Sequence, residues 1–113
     1  MNDFPDFITR LPEVDFPFEG VSGHLLQGED QQAAFVWFED ETVVPEHSHA
    51  SQWELVVAGE LRLTVDGVEK TYREGDSFYI PAGAVHGAAV RAGYRAVIFF
   101  DQADRYQARR IVT

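Results

Sequence analysis

The feature that most constrains the fold is a β-hairpin signal near the middle of the chain. Asp66 and Gly67 separate two segments in which apolar and polar residues alternate, LRLTV and VEKTYR. An Asp-Gly pair in this setting favours a two-residue type I′ turn. Pairing across the turn predicts one polar face, which includes a solvated Arg62, and one apolar face made of Leu61, Leu63, Val65, Val68 and Tyr72.

Short apolar segments bounded by turn residues recur along the rest of the chain. They predict strands over residues 21–27, 33–39, 42–49, 52–58, 77–80, 85–91 and 94–100. No segment has the length and period of an ordinary helix, and the tail, residues 101–113, fits either a short helix or an edge strand. A chain of 113 residues closes a single core. We therefore predict one all-β domain over residues 21–113, a small sandwich or barrel.

Residues 1–20 differ from the rest because they combine four phenylalanines with three prolines. Proline interrupts both a regular helix and a central strand. The phenylalanine rings still need burial, so we predict an extended arm over residues 1–20. Docking on the barrel of its own chain is favoured over docking on a partner's barrel.

Charge and composition exclude several classes of function. The net charge is -10 and the chain has only nine Lys and Arg residues, which argues against binding to nucleic acid or to an anionic membrane. Cysteine is absent, so we expect no disulfide, thiolate nucleophile or sulfur ligand. We find no apolar run of signal-peptide or membrane-span length. These observations predict a cytoplasmic protein.

Two of the four histidines, His47 and His49, lie two residues apart in a predicted strand. Residues i and i+2 of a strand point to the same face, so both imidazoles should project together. Two such imidazoles supply half of the ligands that a divalent transition metal needs. A third histidine, His86, ends a second stretch that glycine and proline punctuate, GDSFYIPAGAVH. If the fold brings these stretches together, three nitrogens converge on one point.

Both stretches resemble the conserved motifs of the cupin superfamily. The second motif, G-x5-P-x-G-x2-H, matches at all its fixed positions, which are Gly75, Pro81, Gly83 and His86. Val90 stands where an asparagine often ends that motif. The first motif, G-x5-H-x-H-x3/4-E-x6-G, matches at His47, His49 and Gly59, and Glu41 replaces its opening glycine. The resemblance implies a small jelly-roll barrel that holds one divalent transition metal ion (Fe, Mn, Ni, Co or Zn) through His47, His49 and His86.

The fourth ligand is open between Gln52 and Glu54. Counting forward from His49 gives Glu54, whereas counting back from Gly59 gives Gln52. The two residues share one strand face, so both point inward if either does. We favour Gln52 because strand register is stiffer than loop length. Some small cupins, including those that linearise unsaturated uronates, carry Gln at this position. Glu54 is then predicted to act as a general base or as an alternating fifth ligand.

The sequence leaves three functions open. The first is a metal-dependent enzyme that acts on a small polar metabolite such as a sugar acid, by isomerase, lyase or dioxygenase chemistry. The second is a non-catalytic module that binds or senses a small molecule, and the third is a metal-free structural barrel. Trp37, Tyr79 and Phe99 are candidates to line a substrate pocket. We also expect a homodimer, because strand edges need cover and the phenylalanine-rich arm could cross between subunits.

Overall fold

The computed structural model describes residues 4–109, and these residues are almost entirely β-structure. The elements are α1 (Asp6–Thr9), β1 (Val21–Gln27), β2 (Gln32–Phe38), β3 (Thr42–His47), β4 (Gln52–Ala58), β5 (Glu60–Val65), β6 (Val68–Arg73), β7 (Ser77–Ile80), β8 (His86–Val90) and β9 (Arg95–Phe100). The predicted strands over residues 21–27, 52–58 and 77–80 have the same bounds in the structure. The all-β prediction is confirmed.

The strands form two antiparallel sheets that enclose one core. The first sheet has five strands in the order β1-β2-β9-β4-β7, and the second has four in the order β3-β8-β5-β6. Sequence neighbours β3 and β4 lie in different sheets, as do β2 and β3, so the chain crosses repeatedly between the layers. The result is the predicted jelly-roll barrel. Among the described residues, no helix is long and apolar enough to cross a membrane.

The hairpin signal that constrains the fold is observed as predicted. Strands β5 and β6 pair from Glu60 with Arg73 to Val65 with Val68. Asp66 and Gly67 have φ angles of 47° and 82°, which is the positive-φ pair that a type I′ turn requires.

The core consists of the inward faces of both sheets. On β4, β5, β7 and β9 the buried side chains alternate with exposed or half-exposed ones, as the two faces of a barrel strand require. The inward residues that are most buried include Leu25, Ala34, Val36, Val56, Leu61, Leu63, Ile80, Val90, Tyr94, Ala96 and Phe100.

The N-terminal arm packs on its own barrel. The ring of Phe4 lies 5.7 Å from the ring of Phe35 and 6.4 Å from that of Trp37, on the outer face of β2. Further along, Val14 is buried and pairs with Ala108, which ties the arm to the tail. The single helical turn α1 directly follows a proline, where a missing backbone N–H costs nothing. The predicted dimer stays a prediction.

The tail, residues 101–109 in the described part of the chain, is neither the helix nor the edge strand considered from the sequence. It consists of bends and one isolated bridge, at Ala108. Its last four residues, 110–113, lie outside the described residues. The segment turns back across the end of the barrel, so that Arg105 and Tyr106 contact the ring of Phe100.

Gly59 allows the tight connection between β4 and β5. Its φ is +83°, and a Cβ atom there would lie 2.8 Å from the Cα of Tyr94. We expect Gly59→Ala to lower the free energy of unfolding by about 2 to 5 kcal/mol, because a left-handed alanine and a backbone overlap both add cost.

Urea denaturation of two variants separates these costs. Gly67→Ala is the matched control, because Gly67 has φ +82° and nothing within 4 Å of the added Cβ. We expect it to lose only about 1 to 2 kcal/mol, from the backbone conformation. Equal losses in the two variants would show that the approach of Tyr94 to Gly59 does not limit the packing.

Candidate metal centre

Two neighbouring strands of the second sheet bring His47 and His86 together. His47 is the last residue of β3 and His86 is the first residue of β8, and the two are Cα partners in the antiparallel ladder. The register of this ladder shifts between Val44 and His47. Pro45 lies inside the shifted segment, where its missing N–H suits an irregular ladder. The irregularity directs the end of β3 toward the barrel interior.

His49 reaches the same point by another route. The prediction that one strand continues to His49 is wrong, because β3 ends at His47 and His49 lies in the following loop. Strand parity therefore does not align the two imidazoles. Instead, the backbone N–H of Gly83 donates to the carbonyl of His49 at 2.9 Å. This hydrogen bond joins the two stretches that carry the histidines.

The three imidazoles converge as predicted. One ring nitrogen from each of His47, His49 and His86 lies within 4.8 Å of the other two. The Nε2 atoms of His49 and His86 are only 3.2 Å apart. The ring centroids of His47 and His86 are separated by 4.3 Å.

Each imidazole is held by a backbone carbonyl on its Nδ1 side. The Nδ1–H groups of His47, His49 and His86 donate to the carbonyls of Pro45 at 2.8 Å, Ala50 at 2.6 Å and Ala84 at 2.9 Å. A carbonyl can only accept, so each ring carries a proton on Nδ1, and in its neutral form it presents a lone pair at Nε2. This is the tautomer and orientation that metal-binding histidines have, with the second nitrogen held by an outer hydrogen bond.

The lone pairs at Nε2 make the cluster suitable for a cation. When both rings are neutral with their protons on Nδ1, neither of the facing Nε2 atoms of His49 and His86 has a proton to donate to the other. Burial lowers the pKa of His49 to about 4, and the Arg105 guanidinium and the other two histidines add to the effect. Burial likewise lowers the pKa of His86, with help from His47 and Arg105. The lowered pKa values favour neutral rings at His49 and His86, and neutral imidazole nitrogens are ligands for a divalent transition metal.

Gln52 and Glu54 lie side by side in the barrel, both buried on the inward face of β4. The Gln52 amide donates from Nε2 to Oε1 of Glu54 at 2.9 Å, and the hydroxyl of Tyr94 donates to Oε2. The carboxylate lies outside the cluster formed by the three histidine nitrogens. Because the Gln52 nitrogen is engaged with Glu54, its amide oxygen is the atom left to offer a metal.

Burial shifts the pKa values of this hydrogen-bonded group. Burial raises the pKa of Glu54 to about 7, and the hydrogen bonds from Tyr94 and Gln52 partly oppose the rise. The pKa of Tyr94 is raised in turn by its own burial and by the negative charge of Glu54. Glu54 is thus a carboxyl group able to hold or release a proton near neutral pH.

A cavity of about 80 Å³ lies between the sheets, and His47, Gln52, Glu54 and His86 all contribute to its wall. Most of the remaining lining is apolar. Phe38, Phe78 and Phe100 are among its aromatic residues. The cavity brings a possible metal centre and a proton-carrying group into one small compartment.

The structure does not bring Trp37, Tyr79 and Phe99 to this cavity. They have the opposite strand parity to the neighbouring lining residues, so they lie on the outer face of the first sheet. Trp37 stacks on His24 at 5.8 Å, and Phe99 packs near Trp53 at 5.9 Å. Tyr79 is largely exposed. Phe38, Phe78 and Phe100, which do line the cavity, lie one position away along the same strands.

Sequence reasoning missed Tyr94 and Arg105. Tyr94 is an even-numbered residue, like the inward-facing Ala96, Ile98 and Phe100 of β9. Strand alternation could therefore have placed its hydroxyl group inside the barrel. Arg105 lies in the irregular tail, and no periodicity in the sequence placed it. In the structure its Nη2 atom lies 3.4 Å from Nε2 of His47.

Solved structures similar to this chain share its fold. An RmlC-like cupin from Shewanella frigidimarina is 29% identical, with a TM-score of 0.75, and the match covers 93% of this chain and 95% of that one. KdgF from a Halomonas species is 23% identical with a TM-score of 0.69, over 80% of this chain and 87% of its own. A variant of Bacillus subtilis oxalate decarboxylase is 17% identical with a TM-score of 0.70, over 81% of this chain but only 28% of its own.

The family assignment rests on sequence. Among curated proteins, none matches this chain. The family described as Cupin domain matches residues 34–100, which include both histidine stretches and eight of the nine strands in whole or in part. The chain belongs to the cupin family.

Proposed function

We propose that this protein is a metal-dependent enzyme that acts on a small polar metabolite such as a sugar acid. The observation that carries the proposal is the set of three imidazoles that are locked by backbone carbonyls and present lone pairs to one point. A purely structural cluster would place a proton between two of these nitrogens. Neutral rings with their protons on Nδ1 leave none to share between the Nε2 atoms of His49 and His86.

We propose His47, His49, His86 and Gln52 as the ligands of one divalent ion of Fe, Mn, Ni, Co or Zn. Bacillus subtilis oxalate decarboxylase, which has the same fold, contains Mn(II) centres, and this supports the assignment. When bound, such an ion supplies a Lewis acid that polarises a carbonyl or hydroxyl oxygen, and iron adds redox chemistry.

The residues around the cluster have separate tasks in this proposal. Glu54 moves a proton to or from the substrate, because its carboxyl group lies in the cavity wall beside Gln52. Tyr94 positions that carboxyl group through its hydroxyl. The apolar lining excludes water, which strengthens every polar contact inside the cavity.

The proposal is tested by a comparison of the metal-loaded and the chelated protein. Each would be assayed against unsaturated uronates and other keto and hydroxy sugar acids, and oxygen uptake would be followed for the iron-loaded form. We expect turnover of at least one acid that EDTA abolishes and one added metal restores. Turnover that is indifferent to chelation, or its absence with every loaded metal, would contradict the proposal.

The apolar lining of the cavity also supports a second candidate, a module that binds or senses a small ligand without turnover. Fold alone does not separate the two functions. The same assay separates them. A binding module would bind the added acid without converting it, so that the acid is recovered unchanged after the protein is removed from the solution.

A further inference from the structure

Arg105 reaches the metal centre from the tail of the chain. Its side chain forms part of the cavity wall, and its Nη2 atom lies 3.4 Å from Nε2 of His47. The guanidinium lies over the ring of Tyr106 at 4.4 Å and near that of Phe100 at 5.8 Å. Aromatic faces hold a guanidinium in place and attract its charge. The cation is therefore fixed beside the three histidines.

The hydrogen-bonding capacity of Arg105 is largely unused. Its Nε atom is buried and has no hydrogen-bond partner. In the described residues, none of the ion pairs joins Arg105 to a carboxylate. A guanidinium has five N–H donors, and a buried donor without an acceptor is costly. Apart from the Nη2 group that faces Nε2 of His47, these donors are available to an acceptor that enters the cavity.

The charges of the cavity favour an anion as that acceptor. The described residues that line the cavity include one basic residue besides the histidines, Arg105, and one carboxylic acid, Glu54. The Glu54 oxygens already accept from Gln52 and Tyr94, and no ion pair joins this carboxyl group to Arg105 in the described residues. A divalent ion held by the histidines would add further positive charge. Among the described lining residues, Arg105 therefore has no paired carboxylate.

The tail is anchored so that Arg105 stays in position. The backbone N–H of Tyr106 donates to Oε1 of Gln32 at 3.0 Å, and Nε2 of Gln32 donates back to the carbonyl of Tyr106 at 2.8 Å. Gln32 is buried, so both bonds are shielded from water. Gln32 therefore holds the backbone next to Arg105 in place. Because this part of the chain is already ordered, Arg105 should lose less conformational entropy when a ligand binds.

We propose that Arg105 binds the carboxylate of an anionic substrate beside the histidine cluster. The planar guanidinium offers a carboxylate two parallel N–H donors. The inference rests on the proposed metal-dependent function and narrows its substrates to acids. It makes Arg105 a specificity-determining residue that separates acids from neutral polyols of similar size.

Glycolate and ethylene glycol are suitable probes, because they share a hydroxyl group and differ by the carboxylate. Both would be titrated calorimetrically into the Mn(II)-loaded wild type and the variants Arg105→Gln, Arg105→Lys and Arg62→Gln. Arg62 is the matched control, since it is exposed on the outer face of β5. Metal content and melting temperature would be measured on every sample.

We expect Arg105→Gln to weaken glycolate binding roughly 10- to 100-fold, because a charge-assisted pair of hydrogen bonds is lost. Arg105→Lys should bind glycolate with intermediate affinity, since lysine keeps the positive charge but lacks the two parallel N–H donors of the guanidinium. Arg62→Gln should bind as the wild type does, and ethylene glycol should bind weakly to all four proteins. Metal content should not change in any variant.

Equal glycolate affinity in the wild type and Arg105→Gln would overturn the inference, as would a loaded wild type that does not bind glycolate. A wild type that takes up no metal would instead overturn the proposed function. The same glycolate titrations of the metal-free proteins would then test Arg105 alone. Weaker glycolate binding confined to the Arg105 variants would support the inference, and equal glycolate affinity in all four proteins would overturn it.

Discussion

Replacing His86 with alanine is expected to weaken binding of a divalent transition metal by at least about 100-fold. Loss of an outer hydrogen bond to a ligand already costs roughly 10- to 100-fold in metal affinity, and here a ligand itself is lost. His86 lies at the centre of the cluster, with its Nε2 3.2 Å from that of His49 and its ring 4.3 Å from that of His47. The group of candidate ligand atoms in the described residues contains no fourth histidine or carboxylate, and the nearby Glu54 is already bonded to Gln52 and Tyr94.

His24→Gln is the matched control. His24 is also buried, but it lies outside the cluster, where its Nδ1 atom contacts the carbonyl of Leu11 at 2.8 Å. Competition titration with a metal-sensitive dye would give the affinity of each protein. We expect the His24 variant to bind as tightly as the wild type. Equal affinity in the wild type and the His86 variant would remove His86 from the ligand set.

Replacing Glu54 with glutamine is expected to lower the turnover number roughly 100- to 10,000-fold, the range that a positioned acid or base contributes. Glutamine has the same shape and can still accept from Tyr94, so the barrel should keep its structure. An amide cannot take up the proton that a carboxylate can. Steady-state kinetics on the acid identified in the metal-dependence assay would measure the loss.

The metal content of the Glu54 variant separates two roles of this residue. If Gln52 is the fourth ligand, Glu54→Gln should retain about one ion per chain while it loses turnover. Simultaneous loss of metal would assign Glu54 to the ligand set instead. Glu69→Gln, on an exposed position of β6, should change neither quantity. Unchanged turnover in Glu54→Gln would remove Glu54 from the proton-transfer step.

The fold could be predicted because its signals are local. Alternation of apolar and polar residues fixes which side of a strand is buried, and the Asp66 and Gly67 turn sets the register of β5 and β6. The convergence of His47, His49 and His86 was expected from the resemblance of both stretches to the cupin motifs. The structure shows that His47 and His86 meet as partners in the ladder between β3 and β8.

The remaining parts of the site depend on contacts between distant residues. Arg105 reaches the cavity because Gln32, 74 residues before Tyr106, binds the backbone of the tail. No local pattern encodes such a contact. His49 joins the cluster through a loop that Gly83 holds. The three aromatic residues chosen as pocket candidates fall on the outer face, because aromatic character alone does not specify strand parity.

The central claim is that one metal ion binds at the three histidines, and the most direct test is elemental analysis of the purified protein after reconstitution with Fe, Mn, Ni, Co or Zn in turn. The arrangement of the Nε2 atoms predicts about one ion per chain for at least one of these metals, with a rise in melting temperature, because a ligand that binds only the folded state stabilises it. A protein that holds no metal under any of these conditions, and whose melting temperature does not change, would contradict the account.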